Sequence, residues 1–131
     1  MNTESLLKTF EYMSDPEIPG RDEHLKQAIE SAGSVGVAFL LENLKSGQYV
    51  NDSIWLCQCL SIQESVPHIT PYLDSSDEDL RIAVALALTK LGSRKGSKKL
   101  MEMFELGEIP EHWLTAYGIS LDFLSETEVS A

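Results

Sequence analysis

Apolar residues recur along the chain in short segments that Gly, Pro and Ser-Asp turns separate. Within most segments they are spaced three or four residues apart, as in 78–91, which is the period of an amphipathic helix. No stretch alternates between apolar and polar residues as a sheet strand would. The pattern therefore predicts an all-α protein with eight helices, at about 3–14, 22–32, 34–45, 52–62, 66–73, 78–91, 97–106 and 110–125.

Residues that start and stop helices set these predicted boundaries. Thr3, Ser34 and Asp77 are the expected N-caps, because their side chains can accept a hydrogen bond from a free backbone N–H. Gly92 is expected to follow the end of the sixth helix. Pro71 lies inside the fifth segment, so that helix is predicted to be kinked or shortened.

The predicted helices form pairs at regular intervals. The first helices begin near residues 3, 34, 66 and 97, so they are spaced by 31, 32 and 31 residues. One aligned position of the second helices carries a large residue that is expected to face the core: Leu25, Ile54, Leu80 and Trp113. The position three residues later carries a small residue, which favours close helix packing: Ala28, Cys57, Ala83 and Ala116. The predicted pairs cover about 3–33, 34–63, 65–92 and 96–125, followed by a flexible tail at 126–131.

The third pair carries the most specific pattern. From Asp77 to Gly92 the chain reads D-x-D-L-R-x-A-x-A-x-A-L-x-x-L-G, and this segment resembles a HEAT repeat. The resemblance implies a short right-handed α-solenoid of about four antiparallel helix pairs, each stacked on the next. It also implies a structural role for Arg81, because in that family an Arg at this position and a turn Asp link neighbouring repeats. The Asp would here be Asp74 or Asp77.

Composition adds a strong negative charge to this picture. Of 131 residues 21 are acidic and 10 are basic, for a net charge of −11, and 43% are hydrophobic. The length suits one domain with a real core. The charge disfavours nucleic acid and anionic membranes and favours a basic partner. Since no secretory signal or membrane span is evident, we expect a cytoplasmic protein. Half of the basic residues are clustered: Lys90, Arg94, Lys95, Lys98 and Lys99.

Candidate catalytic chemistry is sparse. Cys57 and Cys59 are two apart on a predicted helix, where their side chains point to different faces, so both are predicted to be buried free thiols. The histidines lack zinc-type spacing and are scattered: His24, His68 and His112. The acidic run 77–79 precedes a helix, where negative charge is favourable. We expect no enzyme activity, no metal and no cofactor.

Surface recognition is the function that remains. Second helices usually line the concave face of a HEAT stack, so their residues form the predicted protein-binding set: Asp52, Trp55, Gln58, Asp77, Glu78, Asp79, Glu111 and His112. Trp55 is the sharpest candidate, because aromatic anchors are enriched in binding hot spots. Its alternative is packing against a neighbouring repeat, and Tyr117 is expected to be buried.

Three candidate functions follow from this interpretation. The first is a non-catalytic protein-binding module, and the acidic charge suits an immunity or inhibitor protein that neutralises a basic toxin or enzyme. The alternatives are an accessory protein similar to HEAT-type phycobilin lyases and a scaffold subunit. Neither terminal helix is plainly polar on its outer face, so we expect a monomer or a weak homodimer.

Overall fold

The computed structural model describes residues 2–121 and 124, and this part of the chain is helical without a strand. It contains eight α-helices: α1 (Thr3–Tyr12), α2 (Arg21–Ala32), α3 (Ser34–Ser46), α4 (Val50–Cys59), α5 (Val66–Ile69), α6 (Glu78–Lys90), α7 (Arg94–Glu105) and α8 (Glu111–Ala116). Two 3-10 turns, Gln63–Ser65 and Thr70–Asp74, flank α5. The all-α prediction is confirmed for these residues. None of the described helices is both long enough and apolar enough to cross a membrane.

The chain divides into two compact units, Met1–Leu56 and Cys57–Ala131, and the division falls within α4. In the first unit, α1, α2 and α3 pack on one another around buried Leu6, Leu25 and Leu40. The ring of Phe10 meets those of Phe39 and Tyr49 edge-on, with centroids 5.0 and 5.5 Å apart. This arrangement is the preferred geometry for aromatic pairs.

In the second unit, α6 is the central helix. The six consecutive residues 84–89 of α6 are all buried, so the helix is covered on several sides rather than on one stripe. It packs against α7, α5 and the 3-10 turn Thr70–Asp74. Ile69 of α5 and both Leu100 and Met103 of α7 are buried in the same unit.

Glycines allow two helix hairpins, one in each unit, to close tightly. A Cβ placed on Gly36 of α3 would lie 2.5 Å from the carbonyl oxygen of Ile29 in α2. A Cβ placed on Gly96 of α7 would overlap the Cβ of Leu88 in α6. In both hairpins the glycine is the third residue of its helix. The absent side chain therefore sets the closest approach of each pair.

Helix ends in the second unit repeat one hydrogen-bonding pattern. The N–H two residues beyond the C-cap donates to a carbonyl five residues earlier, at 2.9 Å in each of four cases: Ile62 to Cys57, Ser93 to Leu88, Glu108 to Met103 and Ile119 to Leu114. This 6→1 bond is the Schellman motif, which needs a left-handed residue just before the donor. Glycine fills that place three times, and Ser61, with φ of 53°, fills it once.

The N-cap or the first residue of several helices differs from the prediction, because a neighbouring residue takes the N-cap position. Asn2, rather than Thr3, caps α1, and its Oδ1 accepts from the N–H of Ser5 at 2.8 Å. Gly33 takes the N-cap position of α3, so Ser34 is the first helical residue. Ser93 caps α7, which therefore begins at Arg94, three residues before the predicted start. Asp77 caps α6 as predicted.

Helix ends were less accurately predicted than helix starts. Pro71 shortens the fifth helix as expected, since α5 stops at Ile69 and continues as a 3-10 turn. The fourth helix runs from Val50 to Cys59, not from Asp52 to Ile62, because Ser61 turns left-handed after its end. The eighth was predicted to reach Ser125, but α8 stops at Ala116, where Gly118 forms the Schellman turn. Ser125 and the predicted tail 126–131 lie outside the described residues.

The predicted repeat register holds in the first two pairs and fails in the last two. Leu25 and Ile54 are buried, whereas Leu80 is half-buried and Trp113 is 42% exposed. Ala28 and Cys57 are buried, whereas Ala83 is half-buried and Ala116 is exposed. In α8 the buried residue is Leu114, so the inward face is turned by one position from the predicted one. The solenoid arrangement stays a prediction.

Candidate protein-binding groove

An open apolar groove lies between α6 and α8 in the second unit. It has a volume of about 430 Å³. Its lining residues come from α6 and from α8 with its C-cap: Asp79, Ile82, Ala83, Leu86, Trp113, Ala116 and Tyr117. A volume of this size is within the usual range of about 300–1,000 Å³ for ligand sites.

Two alanines produce this groove. Ala83 and Ala116 occupy the position where the sequence predicted small residues for close helix packing. Because both line an open space instead, their missing side-chain volume leaves a depression between larger neighbours. The prediction that small residues at this register pack closely against another helix was therefore wrong for Ala83 and Ala116.

Trp113 forms an exposed aromatic surface of the groove. The residue is 42% exposed, although it was predicted to face the core. It meets the ring of His112 edge-on, with centroids 6.5 Å apart. Tyr117, predicted to be buried, is half-buried and lines the same groove. Two aromatic side chains thus offer surface that a partner can cover.

The helices that border the groove run in the same direction. The groove is lined by residues between Asp79 and Leu86 of α6 and between Trp113 and Tyr117 of α8 and its C-cap. Beyond it, Thr89 and Lys90 at the end of α6 line a smaller depression with Gly118 and the residues that follow α8. The N-terminal ends of both helices, with their acidic first turns, therefore face the same end of the groove.

That end of the groove carries unneutralised negative charge. Its four carboxylates are exposed: Asp77, Glu78, Asp79 and Glu111. Asp77 accepts a hydrogen bond from the N–H of Leu80 at 3.3 Å as the cap of α6. Among the described residues, none of the four carboxylates has a Lys, Arg or His nitrogen within 4.0 Å. We call this set the acidic rim.

Basic residues lie at the opposite end of α6. Arg94, Lys95 and Lys98 are exposed in the first half of α7, which follows α6 directly. Lys99 pairs with Glu102 at 3.8 Å, so part of this charge is already neutralised. Since α6 spans 13 residues, or about 20 Å, the two charged regions are well separated in the second unit.

The predicted site residues fall into different surroundings. Asp52 and Trp55 belong to the first unit and Gln58 belongs to the second, and all three are half-buried on α4. Asp79 lines the groove. The others are close to its lining in sequence: Asp77, Glu78, Glu111 and His112. Trp113 was missed because the repeat alignment assigned it to the core.

Asp52, predicted to bind a partner, is bound within the protein. Its Oδ2 accepts a hydrogen bond from Nη2 of Arg21 at 2.6 Å. The Nε of Arg21 donates to the carbonyl of Met13 at 2.5 Å, and Nη1 donates to Asp22 at 3.0 Å. The hydrogen bond with Asp52 raises the pKa of Arg21 most, although burial opposes it. Arg21 therefore joins α2, α4 and the turn after α1, a role that the sequence pattern did not predict.

Arg81 also has a local structural role. Its Nη1 donates to the carbonyl of Ser75 at 2.8 Å, in the turn that precedes α6. Neither Asp74 nor Asp77, the predicted partners, lies within ion-pair distance of Arg81 in the described part of the chain. The guanidinium thus stabilises the turn of its own helix pair through a backbone carbonyl.

The two cysteines differ, contrary to the prediction that both are buried. Cys57 is fully buried, and Cys59, at the end of α4, is exposed. Burial raises the pKa of the Cys57 thiol to about 11, and a hydrogen bond with Ser65 opposes this shift in part. A thiol with a raised pKa is a poor nucleophile at neutral pH.

The described residues contain no group of three or more His, Cys, Asp or Glu side chains arranged to hold a metal ion. Comparison of the chain with protein-family models, with curated proteins and with solved structures finds no match. The resemblance to HEAT repeats therefore stays a prediction from the sequence pattern.

Proposed function

We propose that this protein is a non-catalytic protein-binding module whose contact surface is the groove between α6 and α8. The observation that carries the proposal is Trp113, a residue that is 42% exposed and lines a groove of about 430 Å³. Covering a large apolar side chain contributes roughly 1.5–3 kcal/mol. Tryptophan is also among the residues most enriched in binding hot spots. The proposal assigns the protein no catalytic role.

The charge supports a basic partner. The acidic rim lies at one end of the groove, and the whole chain has a net charge of −11. Complementary fields steer association and suppress partners of like charge. An inhibitor or immunity protein that covers a basic active site is the form of this function that the charge favours. Its association rate should then fall as ionic strength rises.

The size of the groove also supports an accessory protein for a small ligand such as a bilin. Its lining offers few polar groups, chiefly the carboxylate of Asp79 and the phenol of Tyr117. A bilin titration monitored by visible absorbance tests this alternative directly. Saturable binding that Ala83→Trp abolishes would favour the small ligand, because the indole would fill the floor of the groove.

Affinity capture with matched variants tests the protein-binding proposal. Unmodified protein, Trp113→Ala and Tyr12→Ala would be immobilised and incubated with extract of the native cell. Tyr12 is the control, because it is a 74% exposed aromatic residue in the other unit. We expect a protein that is retained by the unmodified chain and by Tyr12→Ala, and is depleted at least tenfold by Trp113→Ala. Equal retention by all three proteins would refute the groove as the contact surface.

A further inference from the structure

We infer that the partner binds this groove through an amphipathic α-helix whose apolar face is flanked by Lys or Arg. The inference rests on the proposed function and names the chemistry of the partner. It is carried by three features of the groove: the satisfied backbone of its walls, its floor of small residues, and the acidic rim at one end.

The walls of the groove favour a helix over an extended segment. α6 and α8 use their own backbone N–H and C=O groups within helices, so they present no free sheet edge to a strand. A strand laid in the groove would leave its backbone groups facing apolar side chains, which is costly. A helix satisfies its backbone internally and brings only side chains to the contact.

The floor of the groove matches about two turns of helix. Along α6 the lining extends from Asp79 to Leu86, which are seven positions or about 10 Å apart. Small side chains at Ala83 and Ala116 let a partner helix approach closely, while Ile82, Leu86 and Trp113 contact its flanks. Anchors spaced i, i+3, i+4 and i+7 on the partner would occupy this length.

The acidic rim determines the charge that flanks those anchors. Asp79 lies at the groove itself, and Glu111 stands in the first turn of α8, two residues before Trp113. Because no basic side chain of the described chain neutralises them, a Lys or Arg of the partner can pair with either carboxylate. An Arg or Lys over the face of Trp113 would add a cation–π contact. A partner helix with acidic flanks would instead be repelled.

Peptide binding tests this inference with a defined probe. The probe is a labelled helical peptide of about 14 residues with Leu at i, i+3, i+4 and i+7 and with Arg and Lys beside them. A matched peptide carries Glu in place of every Arg and Lys. Fluorescence anisotropy should show saturable binding of the basic peptide, and at least tenfold weaker binding of the acidic one.

Variants of the protein then locate the contact. We expect Trp113→Ala to weaken binding of the basic peptide at least tenfold. The double variant Asp79→Asn with Glu111→Gln should also weaken this binding and make it less dependent on salt. Tyr12→Ala and Leu106→Ala remove exposed apolar side chains outside the groove and should leave binding unchanged. In a Trp55→Phe background, emission from Trp113 should change on binding, because the chain contains only these two tryptophans. Circular dichroism would confirm that every variant is folded.

Several results would overturn the inference. They are equal affinity for the acidic peptide, binding that Trp113→Ala leaves intact, and failure of the unmodified protein to bind the basic peptide. Binding of a second copy of this chain in the groove would also overturn the inference. Sedimentation would then show a dimer of the unmodified protein and a monomer of Trp113→Ala. If extract capture still depends on Trp113 while the basic peptide fails to bind, the proposed function stands and the helical partner is wrong.

Discussion

At the scale of single residues, Ser61 occupies a place where the other helix ends of its unit use glycine. Its φ is 53°, in the left-handed region, while the glycines in the three equivalent turns have φ between 72° and 85°. For an L-residue this conformation costs about 1–2 kcal/mol, because Cβ crowds the following carbonyl oxygen. The Schellman hydrogen bond from Ile62 to Cys57 persists despite that cost.

Replacing Ser61 with Gly should therefore stabilise the protein. Relief of the left-handed strain outweighs the extra freedom that glycine gains in the unfolded chain, and we expect a gain of about 0.5–1 kcal/mol. Urea denaturation measures it as a higher midpoint with an unchanged slope. Ser76→Gly is the control, since Ser76 is exposed and its φ is not positive. A loss of stability in Ser61→Gly would contradict this account.

The buried thiol of Cys57 should make stability depend on alkaline pH. Its pKa is raised from 9.0 to about 11, because burial disfavours the thiolate. Below pH 9 the thiol is protonated in both states, and its full contribution to stability is present. As pH rises from 9 through 11, only the unfolded chain ionises, so about 2–3 kcal/mol is lost.

Comparison of single cysteine variants isolates this effect from other groups that titrate in the same range. The free energy of unfolding would be measured at several pH values between 7 and 10.5 for the unmodified protein, Cys57→Ala and Cys59→Ala. Cys57→Ala should show a shallower decline, whereas Cys59→Ala should follow the unmodified protein, because Cys59 is exposed. Identical declines in all three would show that Cys57 contributes no such dependence.

At the scale of helices, the two tight hairpins explain why glycine is retained inside α3 and α7. In an exposed helix interior, glycine costs about 1 kcal/mol relative to alanine. Gly36 and Gly96 are buried instead, against Ile29 and Leu88 respectively. The close approach of backbones across each hairpin therefore outweighs the lower helix propensity of glycine.

Gly96→Ala should destabilise the protein even though it raises helix propensity. The new Cβ would overlap that of Leu88, so α6 and α7 must move apart, and we expect a net loss of about 1–3 kcal/mol. Lys95→Ala tests the neighbouring exposed position of α7 and should change stability by less than about 0.5 kcal/mol. Thermal unfolding by circular dichroism measures both. A stabilised Gly96→Ala would show that the hairpin is looser than described.

The sequence predicted the helices better than the faces they bury. Periodicity, Asp77, Gly92 and Pro71 correctly indicated a capped sixth helix and a shortened fifth, because these signals act over one or two turns. Trp113 illustrates the limit of such signals. Its residue type is compatible with core or surface, and only the packing of Leu114 decides which side of α8 turns inward. An alignment that assumed every helix pair to be alike therefore could not predict the groove.

The same limit applies to the site residues. Asp77, Glu78, Asp79 and Glu111 were selected as an acidic edge, and their exposure leaves them able to meet a basic partner. Asp52 was selected on the same grounds, but its binding to Arg21 depends on residues 31 positions apart in sequence. Local charge patterns cannot distinguish a free carboxylate from one paired over such a separation.

At the scale of the whole molecule, the charge is far from balanced. The chain has 21 acidic and 10 basic residues and a net charge of −11, so its negative side chains repel one another in the folded state. The described ion pairs are four, and two of them, Lys8 with Glu4 and Lys99 with Glu102, are largely exposed and contribute little. Most carboxylates in the described part of the chain are therefore without a basic partner, which is unfavourable for stability and favourable for capture of a basic partner.

Salt should accordingly act on stability and on binding in opposite directions. Raising NaCl from about 20 mM to about 500 mM shortens the screening length from roughly 20 Å to a few Å, which weakens self-repulsion. We expect the free energy of unfolding to rise by about 0.5–1 kcal/mol, measured by urea denaturation at each salt concentration. Affinity for the basic helical peptide should fall over the same range, because the acidic rim is screened as well.

Choline chloride in place of NaCl controls for specific binding of Na⁺. If peptide affinity and stability instead rose together, apolar contact within the groove rather than charge would dominate recognition.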